Sequence, residues 1–150
     1  MSDAPSAGRF EGREHLLPVR VYYEDTDFTG LVYHANYLRY FERGRSDFLR
    51  LAATGHTELL DQAAPIAFVV VRMDVRWLRG ARIDDALMVR TAYERVRGPR
   101  LFIAQRIERG GEAIASAEVE AACIDLNGRP RRAPPLLVEK LTPWLKPLAG

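Results

Sequence analysis

Cysteine is almost absent from this 150-residue chain: Cys123 stands alone, so neither an intramolecular disulfide nor a cysteine-rich metal site can form. Histidine is scarce as well. His15 falls in a polar N-terminal stretch and His56 in an expected loop, with no second ligand at useful spacing, so no metal is expected. Long apolar runs are missing too. The longest, Ala63 to Val71, is far short of the ~20 residues that span a bilayer, and Met1 to Glu14 lacks the apolar core of a signal peptide. We therefore expect a cytoplasmic protein with no membrane span. Lysine is confined to Lys140 and Lys146; the other cations are arginines. A codon bias of the source genome is the preferred reading; arginine also suits bidentate contact with phosphate, and composition alone does not separate the two. The net charge of +2 is too mild to point to nucleic acid as a partner, whose binding proteins usually carry a concentrated basic stripe.

What is present is ordinary globular material, 47% hydrophobic and 28% charged, enough for one domain. Residues 1–14 read as a flexible leader and 15–150 as a single domain. Leu17 to Tyr23 alternates as a strand. From about Ala35 to near Gly55 the period becomes helical: Tyr37, Phe41, Phe48 and Ala52 share a face flanked by Leu38 and Leu49, while Arg39, Arg43, Ser46 and Arg50 lie opposite. Gly44 inside this helix costs roughly 1 kcal/mol relative to Ala, which points to a close contact there. Val71 to Trp77 alternates strictly. Further strands are expected at Leu87 to Tyr93, Leu101 to Glu108 and Glu112 to Asp125, separated by Gly98-Pro99 and Gly110-Gly111 and closed by Asn127-Gly128. Pro134-Pro135 opens a short helix through Leu145. One strand, a long amphipathic helix and four antiparallel strands make an α+β layout of five strands curled around the helix.

Glu24, Asp25 and Asp27 crowd the loop that feeds the helix. A helix N-terminus offers unpaired N–H groups that polarise a carbonyl, and an upstream carboxylate can attack the same carbon or activate water. Gly30 lets the loop fold back. Equally, Asp and Thr before a helix serve as turn and capping residues, and residue types alone do not choose between the readings.

The segment resembles the 4-hydroxybenzoyl-CoA thioesterase family, in particular its branch associated with the bacterial Tol–Pal system. The likeness is carried by Val21-Tyr22-Tyr23-Glu24-Asp25-Thr26-Asp27, Gly30, Val32-Tyr33-His34, Asn36-Tyr37, Phe41-Glu42-Arg43 and Arg45, and runs more loosely to about residue 125. It implies a hotdog fold and an acyl-CoA thioesterase. Asp27 matches the family's catalytic aspartate. His34 stands where a backbone N–H polarises the thioester carbonyl, and its imidazole is placed to assist. Tyr33 and Asn36 are implied to shape the site, Asp25 to hold the loop, and Glu42 to pair with a nearby arginine. Phe28 and Thr29 depart from the small residues common in the branch, which puts the acyl pocket in question, and Gly44 replaces a commoner Ala.

Arg97 and Arg100, with Arg129, Arg131 and Arg132, are candidates for the phosphates of CoA or a solvated basic surface. Cys123 is expected to be a core residue. The resemblance further implies a homodimer or homotetramer, with sites at the subunit interface, and no cofactor. A hydroxyacyl dehydratase on the same fold would leave Asp27 unexplained, and no Pro follows His34. The other alternative is a non-catalytic subunit of an envelope-associated complex that binds acyl-CoA or an acyl carrier protein.

Overall fold

A computed structural model describes residues 3–147. It contains six strands: β1 (Arg9–Glu11), β2 (Glu14–Arg20), β3 (Ala67–Trp77), β4 (Ala86–Arg97), β5 (Arg100–Arg109) and β6 (Glu112–Ile124). The helices are α1 (Asn36–Ala52), α2 (His56–Asp61) and α3 (Pro135–Leu141). All strands join one antiparallel sheet in the order β1-β2-β4-β5-β6-β3. Five strands were expected. The sixth, β1, lies in the stretch read as leader, where Gly12 at φ 60° turns it back onto β2 in a tight hairpin.

The order of strands explains the layout. β2 and β3 sit on opposite sides of the β4–β5–β6 meander, so α1, which connects them, must cross one face of the sheet. That face is apolar by alternation. Val89 and Tyr93 on β4, Leu101, Ile103 and Ile107 on β5, and Ala117, Val119, Ala121 and Cys123 on β6 all point inward and are buried. Tyr37, Tyr40, Phe41, Phe48 and Leu49 of α1 pack onto them, each large side chain worth roughly 1.5–3 kcal/mol of transfer free energy. Leu38, expected beside this face, is instead exposed. β2 ends at Arg20, so Val21 to Tyr23 leave the sheet rather than completing the expected strand. His56 opens α2 instead of lying in a loop.

Gly44 is where α1 touches the sheet. A Cβ there would stand 2.6 Å from Thr91 Oγ1, 2.9 Å from Val89 Cγ1 and 3.1 Å from Gln105 Nε2. Those atoms are not free to move, because Gln105 Nε2 donates to Thr91 Oγ1 and to the Phe41 carbonyl, both at 2.8 Å, and Gln105 Oε1 accepts from Arg45 at 3.0 Å. Gly44→Val is therefore expected to lower stability by about 2 kcal/mol, because strain outweighs the gain in helix propensity. A melting temperature equal to that of the wild type would contradict this close approach. Among the described residues no helix is long and apolar enough to cross a membrane.

Candidate active site

The loop between β2 and α1 is pinned at several points. Val21 exchanges backbone hydrogen bonds with Asp84 and Asp85 at the start of β4. Asp25 is buried. Its carboxylate accepts from the Tyr22 N–H at 2.8 Å and from Asn36 Nδ2 at 2.9 Å, and its carbonyl accepts from the Tyr33 N–H at 2.9 Å. Asn36 thus sits beneath the site, tying the first turn of α1 to the loop.

Above this base the chain makes a tight turn. The Asp27 N–H donates to the Leu31 carbonyl, and the Gly30 N–H to the Asp27 carbonyl, with Gly30 at φ 83°. Asp27 Oδ1 accepts two hydrogen bonds from Thr29, 2.8 Å from its N–H and 2.6 Å from its hydroxyl. The Thr29 hydroxyl, with its N–H and the nearby His34, holds the Asp27 carboxyl below the usual carboxylate range, so it is ionised near neutrality. Its second oxygen, Oδ2, has no protein partner among the described residues. Thr29, which the family resemblance marked only as a departure, is therefore the residue that orients the acid.

His34 lies in the turn that opens α1. The Asn36 N–H closes that turn onto the Tyr33 carbonyl at 2.8 Å, and no side chain caps the helix. Among the described residues, the N–H groups of His34 and Ala35 donate to nothing. Asp27 is close enough to His34 for their charges to interact. The rings of Tyr33 and His34 lie 4.6 Å apart, and Phe28 projects fully into solvent at the tip of the turn. The result is an exposed carboxylate edged by aromatics, beside unpaired N–H donors at the positive end of a helix.

Arg97 and Arg100 are not part of this group within one chain. They close the β4–β5 hairpin at the end of β4 away from Asp85, roughly 35 Å of strand from the loop. Arg100 pairs with Glu120 at 3.0 Å. Arg131, bonded to Asp125 at 2.8 Å, lies at the same remote end, since the Cys123 N–H donates to the Pro99 carbonyl. Glu42 takes a hydrogen bond of 2.5 Å from the Ser46 hydroxyl, one helical turn on, and no arginine pairs with it among the described residues. Ser46 Oγ also lies 2.8 Å from His56 Nε2. This trio is not a hydrolytic triad, because its acid holds the serine and leaves the imidazole unoriented. Cys123 is buried, and desolvation pushes its thiol up to about 12, which removes it as a nucleophile.

A family model described as the thioesterase-like superfamily matches residues 21–145. The chain belongs to that superfamily. The chain is 43% identical over 111 residues to the acyl-CoA thioesterase YbgC of Haemophilus influenzae, an alignment covering 74% of this chain and 81% of the relative. It is 42% identical over 123 residues to the acyl-CoA thioester hydrolase YbgC of Escherichia coli, covering 81% and 90%. The crystal structure of a probable thioesterase from Bartonella henselae superposes with a TM-score of 0.78 at 43% identity, covering 81% of this chain and 99% of that one. The superfamily's hotdog fold, a curled antiparallel sheet around a helix, is the architecture described above.

Sequence reasoning missed one neighbour of this candidate site. Trp77, at the end of β3, donates its indole N–H to the His34 carbonyl at 3.0 Å. A strand residue more than forty positions from the loop carries no local signal of that contact.

Proposed function

We propose that this chain hydrolyses acyl-CoA thioesters, with Asp27 as the catalytic carboxylate. The observation that carries the reading is the free Oδ2 of an ionised Asp27 beside the unpaired N–H groups of His34 and Ala35, in a chain whose relatives are named acyl-CoA thioesterases. A thioester oxygen accepting from those N–H groups becomes electrophilic at carbon, and the same donors stabilise the tetrahedral oxyanion. Oδ2 then either attacks that carbon or takes a proton from an attacking water. In the first route the C–S bond breaks with the electron pair leaving on CoA sulfur, and water hydrolyses the mixed anhydride of Asp27. In the second, water adds directly and the thiolate leaves in the same way. Single turnover in 18O-labelled water identifies the first route: label in the Asp27 carboxyl requires the anhydride, opened by water at the Asp27 carbon. A panel of short, long and aromatic acyl-CoAs, read by release of free thiol, tests the function itself; no release from any member removes it.

The reading includes a second copy of the chain. β3 is an edge strand, and Val69, Val70, Val71, Trp77 and the following Leu78 are each about 40–60% exposed. Pairing this edge with its two-fold copy would run the two β3 strands antiparallel. The Trp77 end of one chain, which carries Asp27, would then lie beside the Ala67 end of the other, which carries the hairpin of Arg97 and Arg100. The remote arginines would thereby reach the partner's site and its CoA phosphates. Arg97→Glu with Arg100→Glu is expected to raise KM for acyl-CoAs about tenfold and to spare CoA-free thioesters. Equal effects on both substrate classes would remove these arginines from the phosphate site.

A further inference from the structure

The carbonyl of His34 lies just outside the hydrogen-bond ladder of α1, whose N-cap is Ala35. The Leu38 N–H turns to the Ala35 carbonyl at 3.1 Å, and the Asn36 N–H to the Tyr33 carbonyl at 2.8 Å. No backbone N–H among the described residues reaches the His34 oxygen. Trp77 Nε1 supplies the missing donor from across the fold at 3.0 Å, and the indole ring stands edge-on to the His34 imidazole, 5.8 Å between centroids at 80°.

The contact has a geometric consequence. The His34 carbonyl and the Ala35 N–H belong to one planar trans peptide and point in opposite directions. A donor fixed on the carbonyl therefore fixes where the N–H points. The preceding peptide is held in the same manner, since the Tyr33 carbonyl is bonded to Asn36 and the His34 N–H is carried opposite it. Both free N–H groups of the turn are thus oriented from behind, one by the first turn of α1 and the other by Trp77. An oxyanion donor must be aligned before the reaction, because realigning it during the reaction costs barrier height.

We infer that Trp77 is a positioning residue for thioester hydrolysis: its indole N–H holds the His34–Ala35 peptide so that the N–H groups of the turn stay aimed at the thioester oxygen. The inference rests on the thioesterase reading above. It also gives β3 a second role, since the edge strand proposed to pair with another copy carries the residue that orders the turn, and both functions meet at its last position.

Trp77→Phe keeps a ring against His34 and removes only the donor. With the acyl-CoA that the wild type hydrolyses best, kcat is expected to fall about tenfold, while KM stays within twofold and the melting temperature is unchanged. A merely structural Trp77 would instead lower the melting temperature and move KM together with kcat, and that result overturns the inference. An unchanged kcat also overturns it and leaves the thioesterase reading standing. A wild type inert toward every acyl-CoA of the panel overturns that reading, and this inference with it.

Discussion

Asp27→Ala is expected to lower kcat for acyl-CoA hydrolysis by about 10²–10⁴-fold while leaving the melting temperature within a degree or two of the wild type. The second half of that expectation follows from exposure. Asp27 is a surface residue whose side chain hydrogen-bonds only to Thr29 among the described residues, so little packing is lost with it. Asp27→Asn is the sharper variant. It retains an oxygen for the Thr29 N–H and hydroxyl, so the turn stays closed, but it presents no charge to a carbonyl carbon or a water. Loss of turnover in both variants, with near-native substrate affinity, assigns the carboxylate to chemistry. If Asp27→Asn instead keeps more than a tenth of the wild-type kcat, the residue is an Asx-turn anchor and the mechanism fails. Asp25 provides the contrast. It is buried under three hydrogen bonds, so Asp25→Ala should cost activity and melting temperature together, as the loop and the start of α1 separate.

Different parts of the molecule were legible in the sequence to different degrees, for physical reasons. Strict alternation from Val71 to Trp77 reports which side chains share a face, and this pattern lies within β3. Alternation does not report which strand lies alongside, so the pairing of β3 with β6 at the far edge could not be read. β1 has three residues and α2 six, with Leu59 its one buried side chain, too few to establish a period. At the site, the acidic loop before a helix was visible, but three carboxylates were equivalent until family resemblance singled out Asp27. Burial sets Asp25 apart from the other two in space. Asp25 faces inward onto Asn36, whereas Asp27 rides on an outward turn, and both outcomes depend on contacts made after the chain folds. The roles of Thr29 and Trp77 were hidden for the same reason. One depends on a hydroxyl rotamer within a turn, the other on strand and helix meeting across forty residues.

His15 shows the largest gap between sequence and structure, and it carries the largest expected effect on stability. Placed by the sequence in a polar N-terminal stretch at the leader's boundary, it is instead completely buried on β2 against Phe10 and Phe48. Its Nε2 lies 2.7 Å from Asp47 Oδ2 on α1, and the same oxygen accepts from the Gly8 N–H at 2.8 Å. Asp47 thereby ties the chain entering β1, strand β2 and α1 together. Asp47→Ala leaves a buried imidazole and a backbone N–H without their acceptor, and is expected to cost about 3 kcal/mol, or roughly 6–12 °C in melting temperature. The paired substitution of His15→Phe with Asp47→Leu should recover the part of that loss due to the imidazole, since apolar groups need no partner, and leave the part due to the Gly8 N–H. A single variant melting within 2 °C of the wild type would overturn the assignment. Protonation separates the variants further. Burial outweighs the attraction of Asp47 and holds His15 below its ordinary 6.5, and a second ring N–H at Nδ1 would meet no acceptor among the described residues. The unfolded chain therefore takes up the proton first. This contribution to stability is complete above pH 6.5 and is lost as pH falls toward the depressed native value, at up to about 1.4 kcal/mol per pH unit. Asp27 titrates below the ordinary carboxylate range, under the pH at which this loss begins. Loss of activity on mild acidification should thus follow global unfolding rather than protonation of Asp27, the proposed catalytic acid, and the His15→Phe, Asp47→Leu protein should stay active at a pH where the wild type has begun to melt.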